Sequence, residues 1–513
     1  MKHIARSTLI IAVFFGLEKA LGFVRNVLIS RSFGRSPELD AFNAANNIPD
    51  LLFALISGGA LAMALIPVLS EYLETKGRPQ AWALFSRIAN IVFLVTLTFS
   101  ALLAIFADQL VALKIGIAPG FSLEQQALVA ELMRLNLIAT MLFSLAGLVI
   151  AGLQANQHFL LPAIAPSMYD IGAMVGILIL VPEQGIRLGP VTLPALGLGI
   201  HGLVYGVILG AVLFLGVQIP GLLRFGFKWT PKIDLNHPGV RQVLIVLGPR
   251  VLTMFGIHLI FIAQDNLASR LIAGSVTALV YGWLFMQVPE SLIGTAIGTA
   301  LLPTLSEQIT RAEGEAFQQT LNHSIRAILA LTLPAAALLI AGIRPLVEIL
   351  GFDAIGTDMV VWVARAYMLG LMAYSLIEVA ARAFYAQQNA RIPLFTIILT
   401  VVAFITLAIP LSSHFGAAGI ALANSTAFTL EALLMLWLLN QAHPGVLRMG
   451  STLWRTTLAA GASAALVTGL LRVLPLDLMS QIMSTLAGMG VLALSGLLAL
   501  PFIWPEVKLM LKL

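Results

Sequence analysis

Residues Ala64-Leu65-Ile66-Pro67-Val68-Leu69-Ser70-Glu71 return 236 positions later as Ala300-Leu301-Leu302-Pro303-Thr304-Leu305-Ser306-Glu307. An apolar helix that carries a proline and leaves through Ser-Glu is present twice, and the copying extends outward from it. Upstream, Ile48-Pro49-Asp50 answers Val288-Pro289-Glu290, with 18 residues from proline to proline in the first copy and 14 in the second. That difference is about one helical turn. Downstream, Ala155-Asn156-Gln157 and Pro162 answer Ala386-Gln387-Gln388 and Pro393 at an offset of 231, and Gly199-Ile200 answers Gly419-Ile420 at 220. The offsets shrink in order, as insertions would produce. Parallel repeats of this size mark carriers built as two lobes that rock about a central site.

Composition says where the lobes reside. With 59% hydrophobic and 10% charged residues and a mean hydropathy of +0.96 over 513 residues, the apolar surface exceeds what a water-soluble core could hide. The chain is read as an all-α, polytopic membrane protein. Apolar stretches of spanning length fall near 8–32, 41–72, 82–112, 127–153, 160–182, 194–220, 241–272, 276–306, 319–343, 358–387, 393–411, 416–440, 452–473 and 481–504, about fourteen transmembrane helices. The repeat assigns six to a lobe over 1–223 and six to a second lobe over 242–440. The polar stretch 224–241 links them, and two further helices lie in 441–513. The run Thr8 to Leu17 follows Lys2 and Arg6 like a signal peptide, but no small-x-small cleavage pattern follows it directly, so it is kept as the first span. With a cytoplasmic amino terminus, 17 of the 29 basic residues fall on that side and seven on the other, which places both termini in the cytoplasm. The linker's basic and aromatic residues suit the anionic inner leaflet as well as they suit an ordinary positive-inside loop.

Cysteine is absent, which removes thiolate nucleophiles, disulfides and Cys-ligated metals. The eight histidines show no HExxH or similar spacing, and the net charge of +5 is dispersed over short loops. Metal cofactors and nucleic-acid partners are therefore not expected. Ionisable residues inside spans are the pointer to chemistry, because a charge facing lipid is costly. They gather on the first two spans of each lobe: Glu18, Lys19 and Arg25; Asp50; Arg250 and Asp265; Glu290. Internal pairing, such as Glu18 with Lys19 or Arg250 with Asp265, is the structural reading of this set. Arg25 has no acid at i±3 or i±4, so its partner must come from another helix or from a ligand, and an anionic head group suits a guanidinium. Arg134, Asp170, Arg365, Glu378 and Glu431 are scattered, which favours structural roles. A pairing or proton relay between Asp170 and Glu431 is the alternative. Small-residue pairs at Gly58 and Ala62, and at Gly294 and Gly298, predict close helix packing at corresponding places.

Seven segments, in order along nearly the whole chain, carry a resemblance: Leu21-Gly22-Phe23-Val24-Arg25, Asp40-Ala41-Phe42, Ile48-Pro49-Asp50-Leu51-Leu52, Ile66 to Glu71, Ala118-Pro119-Gly120-Phe121, Gly294 to Pro303, and Ala383-Phe384-Tyr385-Ala386. They resemble the MurJ (MviN) lipid II flippases of bacteria, in the multidrug/oligosaccharidyl-lipid/polysaccharide exporter superfamily. The resemblance implies a non-enzymatic carrier in the bacterial inner membrane that turns the undecaprenyl-pyrophosphate-linked peptidoglycan precursor outward by alternating access. Membrane lipids and the cell-wall synthesis machinery would be its surroundings. It further implies that Arg25 and Lys19, the latter in place of a more usual Arg, hold the pyrophosphate. Asp40 matches the family's acid at the outer mouth of the second span, and the last two helices would line a groove for the lipid tail.

This chain also departs from the family pattern. Arginines that many members carry on spans two and eight are replaced here by Phe53 or Ala54 and by Leu284. Arg250 is the candidate to supply the lost charge. The eleventh span has Thr396 and Thr400 but no acid for the sodium site of some relatives, which leaves the coupling ion open. A flippase for another polyprenyl-linked glycan, or a drug or cation antiporter of the superfamily, are the alternative functions.

Overall fold

The computed structural model describes residues 2–56, 59–188, 191–474 and 479–510, and the chain divides into two compact units, 1–266 and 267–513. The first contains α1 (Lys2–Phe33), α2 (Pro37–Ile56), α3 (Gly59–Thr75), α4 (Arg78–Ile105), α5 (Ala107–Ala112), α6 (Leu123–Ala155), α7 (Leu160–Val175), α8 (Gly199–Gly216), α9 (Ile219–Arg224) and nearly all of α10 (Pro238–Ala268). The second contains α11 (Ser275–Glu290), α12 (Ala296–Thr310), α13 (Gly314–Gly342), α14 (Arg344–Glu348), α15 (Ala354–Met368), α16 (Leu371–Ala386), α17 (Arg391–Ala442), α18 (Thr452–Val473) and α19 (Gln481–Met510). Apart from a two-residue antiparallel ribbon, Arg187–Leu188 with Val191–Thr192, the described residues are helix and loop.

Ten helices among the described residues are long and apolar enough to cross a membrane, or eleven when α15 and α16, bent by 42° at their junction, are taken as one span. This is fewer than the fourteen stretches in the sequence, for local reasons. The 41–72 stretch is divided between α2 and α3, the side chains of residues 1–13 lie outside the description, and stretches eleven and twelve run together as the 52-residue α17. Within α17, Gly416 breaks the helix with φ 57 and ψ −138, a backbone that suits glycine.

The duplication is visible in turn geometry. α6 and α16 end alike: His158 N–H donates to the Leu153 carbonyl and Asn389 N–H to that of Phe384, each at 2.9 Å, while Gln157 and Gln388 take φ of 61 and 57. Both are left-handed helix stops built on a non-glycine residue, at the offset of 231 read from the sequence. A second match escaped the sequence reading. The Asn90 amide on α4 donates to the carbonyls of Thr230 (2.8 Å) and Lys232 (3.0 Å), and that of Asn322 on α13 donates to those of Val446 (2.8 Å) and Arg448 (2.9 Å). In each unit, one asparagine ties down the segment that leaves the sixth helix of its repeat.

The linker 224–241 is consequently docked on α4. Phe227 packs edge-on to Trp82 and Phe85, the Trp82 indole donates to the Phe225 carbonyl at 3.0 Å, and Trp229 stays exposed. Beyond it, Val240 and Val243 of α10 join the core formed by Leu65, Leu69, Leu84 and Phe85, so α10 packs within the first unit.

In the second unit α18 and α19 pack on α13. Glu506, fully buried, accepts from Arg455 (3.0 Å), Thr452 (3.0 Å) and Arg326 (3.4 Å), a polar knot joining the three helices. As expected, Gly294 and Gly298 let their helix approach α16: a Cβ on Gly294 would stand 2.6 Å from Ser375 Cα, and one on Gly298 would stand 3.3 Å from the Glu378 carbonyl oxygen. Gly58 and the side chain of Ala62 lie outside the described residues.

Candidate functional site

On α1, Glu18, Gly22 and Arg25 stand at i, i+4 and i+7 and share one face, which packs on α7. Arg25 Nη1 donates to Asp170 Oδ1 at 2.6 Å, and its guanidinium carbon lies 4.9 Å from the centre of the Tyr169 ring. The Asp170 side chain is 3% exposed and that of Arg25 19%. Gly22 faces the Asp170 carboxylate, which a Cβ there would meet at 3.8 Å, an ordinary contact distance. The partner that Arg25 requires from another helix is therefore Asp170, one of the scattered intramembrane residues. The ion pair uses one nitrogen of the guanidinium, and Nε and Nη2 make no bond among the described residues.

Asp170 is positioned from behind by a glycine seam. Gly172 and Gly176 of α7 meet Gly210 and Gly206 of α8 so closely that an added Cβ on Gly172 would fall 2.3 Å from Gly210 Cα, and one on Gly176 would fall 2.6 Å from Gly206 Cα. Just beyond, residues Gly176–Leu180 widen into a π-helical turn.

Lys19 is directed differently. It pairs with Glu18 at 3.3 Å and its side chain is 55% exposed, against 25% for Glu18. Spaced six residues apart, Lys19 and Arg25 diverge as helical geometry requires, and it is Glu18 that shares Arg25's face.

A second constellation joins α2 to α10. Asp40 and Asp265 are both buried, the Asn47 amide, on Asp40's face of α2, donates to Asp265, and Asn136 on α6 donates to Asn46 at 2.7 Å. Asp265 is thus engaged by an amide from the first repeat. The side chain of Arg250, its proposed partner, lies outside the described residues. Asp50 is exposed on α2.

In the second unit, Glu290 accepts from Thr295 Oγ1 at 3.1 Å across a π-helical turn, Ser291–Thr295, while Glu378 and Arg382 pair at 2.8 Å. Of the other scattered residues, Arg134 binds Asp108 at 2.6 Å and Arg365 donates to the Ile340 carbonyl at 2.8 Å, as structural roles require. Asp170 is bonded to Arg25 and Glu431 to Thr396 and Thr400, each within its own unit.

The sequence alone held two signals for the missed residues. The polar positions Asp40, Asn43 and Asn47 recur at helical spacing, and Asp170 is the lone acid of its apolar stretch.

The chain matches the sequence model of the family described as "Lipid II flippase MurJ" over residues 29–494. It is 30% identical over 467 residues to the lipid II flippase MurJ of Burkholderia cenocepacia, covering 87% of this chain and 86% of that protein. A probable lipid II flippase MurJ of Vibrio cholerae is 27% identical over 519 residues, covering 97% and 94%. Among solved structures, a lipid II flippase MurJ in an inward closed conformation superposes with a TM-score of 0.75 at 21% identity, covering 96% of this chain and 99% of that one. An inward-facing multidrug resistance MATE family transporter of the MOP superfamily reaches 0.69 at 12% identity over 84% and 95%. At these identities the structural likenesses speak for the fold.

Proposed function

This chain belongs to the MurJ family of lipid II flippases, and on that premise we propose that it carries lipid II from the inner to the outer leaflet of the bacterial inner membrane. It acts as a carrier and not as an enzyme, and the reading invokes no cofactor. The basic-residue distribution supports a cytoplasmic position for both termini. Cell-wall synthesis enzymes are the natural partners, since they consume what a lipid II flippase delivers.

The observation that carries the site assignment is the one-point hold of Asp170 on Arg25. A guanidinium binds phosphate oxygens best through two parallel N–H donors. Here the carboxylate takes one donor and leaves Nε and Nη2 for an arriving pyrophosphate, while the Tyr169 face steadies the cation. Without cargo, Asp170 spares Arg25 the cost of an unpaired intramembrane charge. With cargo, the diphosphate shares or displaces that carboxylate, and on release Asp170 takes the guanidinium back. Such an exchange gives the cargo different contacts in different states, which alternating access requires. Lys19, exposed and paired with its neighbour Glu18, is suited to a looser second contact at the diphosphate.

Depletion of the chromosomal copy in the host bacterium tests both cargo and site. Lipid II is expected to accumulate in the inner leaflet, and an Arg25→Ala copy to fail to rescue, with Arg25→Lys intermediate because the planar fork is lost. Rescue by Arg25→Ala would remove the pyrophosphate role, and normal lipid II export on depletion would assign another polyprenyl-linked glycan. Arg250→Ala is expected to lower flipping, and unchanged flipping would remove that residue from the site.

A further inference from the structure

Glu431, on the second half of α17, is buried at 6% exposure against the first half of the same helix. Its Oε1 lies 3.1 Å from Thr396 Oγ1 and its Oε2 lies 2.8 Å from Thr400 Oγ1, and among the described residues these are its only bonds. Each hydroxyl also reaches a backbone carbonyl of its own helix: Thr396 that of Pro393 at 3.0 Å, Thr400 that of Thr396 at 2.9 Å. A hydroxyl has one proton to donate, so each threonine must choose between its carbonyl and the carboxylate.

Among the described residues no cation bonds Glu431. The elements packed on α17 bring Glu378 and Arg382 from α16, which hold each other, and Glu290 from α11, which is bonded to Thr295. From α15 come Arg365, donating to Ile340, and Asp358, paired with Arg344. α17 itself adds Arg391 and His414, neither of which bonds Glu431.

We infer that Glu431, Thr396 and Thr400 form a proton-binding site of the second unit, whose ligand is the coupling proton of the transport cycle. The use of the proton, though not the site, rests on the carrier reading. With the carboxylate ionised, both hydroxyls turn to it and leave their carbonyls. When a hydronium ion delivers a proton, an O–H bond forms on Oε2 and water departs. The new O–H donates to Thr400 Oγ1, which returns its own proton to the Thr396 carbonyl, while Thr396 Oγ1 still serves Oε1. Every hydroxyl proton has an acceptor in both states, so loading re-pairs the contact between the two halves of α17 without leaving a buried polar group unsatisfied.

The test is infrared difference spectroscopy of the purified full chain in lipid nanodiscs as pH is raised. A protonated-carboxyl stretching band is expected to disappear in the wild type and to be missing from the difference spectrum of Glu431→Gln, which keeps the shape of the side chain. In Thr400→Val the band should persist to higher pH, because a donor to the ionised form is gone. Identical difference spectra for wild type and Glu431→Gln would overturn the site. Loss of the band on adding sodium at fixed pH would make the same oxygens a sodium site and overturn the proton assignment. In vesicles holding lipid II, an imposed pH gradient should change flipping by the wild type and not by Glu431→Gln. Equal gradient dependence in both would overturn the coupling. A wild type that titrates but flips no lipid II would leave the proton site standing and sink the proposed function.

Discussion

At the scale of residues, the Arg25 and Asp170 pair is balanced by what each group would cost alone. Removing the carboxylate with Asp170→Ala strands a partly buried cation, a change worth about 3–5 kcal/mol in buried pairs. Thermal unfolding of the variant should fall well below that of Arg25→Ala/Asp170→Ala, where neither charge is left behind, and equal losses would mean that the pair contributes nothing. Asp170→Asn keeps the shape but not the competitor, so lipid II should bind more tightly and turn over more slowly. Faster turnover would show that Asp170 does not compete with the diphosphate. The need of Arg25 for a distant partner was legible in the sequence, because no acid lies within its helical reach. Which acid answered was not, because α1 and α7 are brought together by contacts that no local spacing records.

At the scale of elements, backbone proximity decides which faces meet. Along the α7–α8 seam, Gly172→Ala would force a Cβ to 2.3 Å from Gly210 Cα, whereas Gly216→Ala, further along α8, meets nothing within 4 Å. The first should lower stability by about 1–3 kcal/mol, in the manner of overpacked cores, and loosen Asp170 from Arg25; the second should leave both unchanged. Equal behaviour of the two would dismiss the seam. The asparagine ties make a matched pair of predictions. Asn90→Ala removes three hydrogen bonds, one of them accepted from the Trp229 indole, and Asn322→Ala removes two, each worth about 1 kcal/mol, and each should sensitise to protease only the segment that its own amide holds, 225–237 or 443–450. The paired left-handed stops after α6 and α16 could be anticipated from repeated Asn-Gln and Gln-Gln. The asparagine ties could not, since the offset between Asn90 and Asn322 differs from that of the loops they hold.

At the scale of the whole molecule, the histidines flanking the linker give the first unit a pH dependence. His158 and His237 both titrate below their ordinary value of 6.5, chiefly through burial, with Arg224 acting on the former and Arg87 and Lys76 on the latter. A histidine held below its unfolded value stabilises the fold above that value and loses this contribution as pH falls, because the unfolded chain then binds the protons first. Linker docking on α4 should therefore weaken as pH drops through about 6.5, seen as faster proteolysis within 225–237, and His237→Gln should blunt the effect. An unaltered pH response in that variant would assign the effect elsewhere.

Sequence by itself determined the membrane environment, the helical class and the duplication, since hydropathy is additive along the chain and a repeat is a property of order. It also marked the first two helices of each repeat as the place of costly charge. Tertiary structure alone decided which charges neutralise one another. It matched Arg25 to Asp170, Asp265 to Asn47 and Glu431 to two threonines, and it placed α10 with the first unit although the repeat begins a new lobe there. The physical reason is that a salt bridge between helices depends on rotation and close approach, which are set by glycine seams and backbone ties formed between residues far apart in the chain.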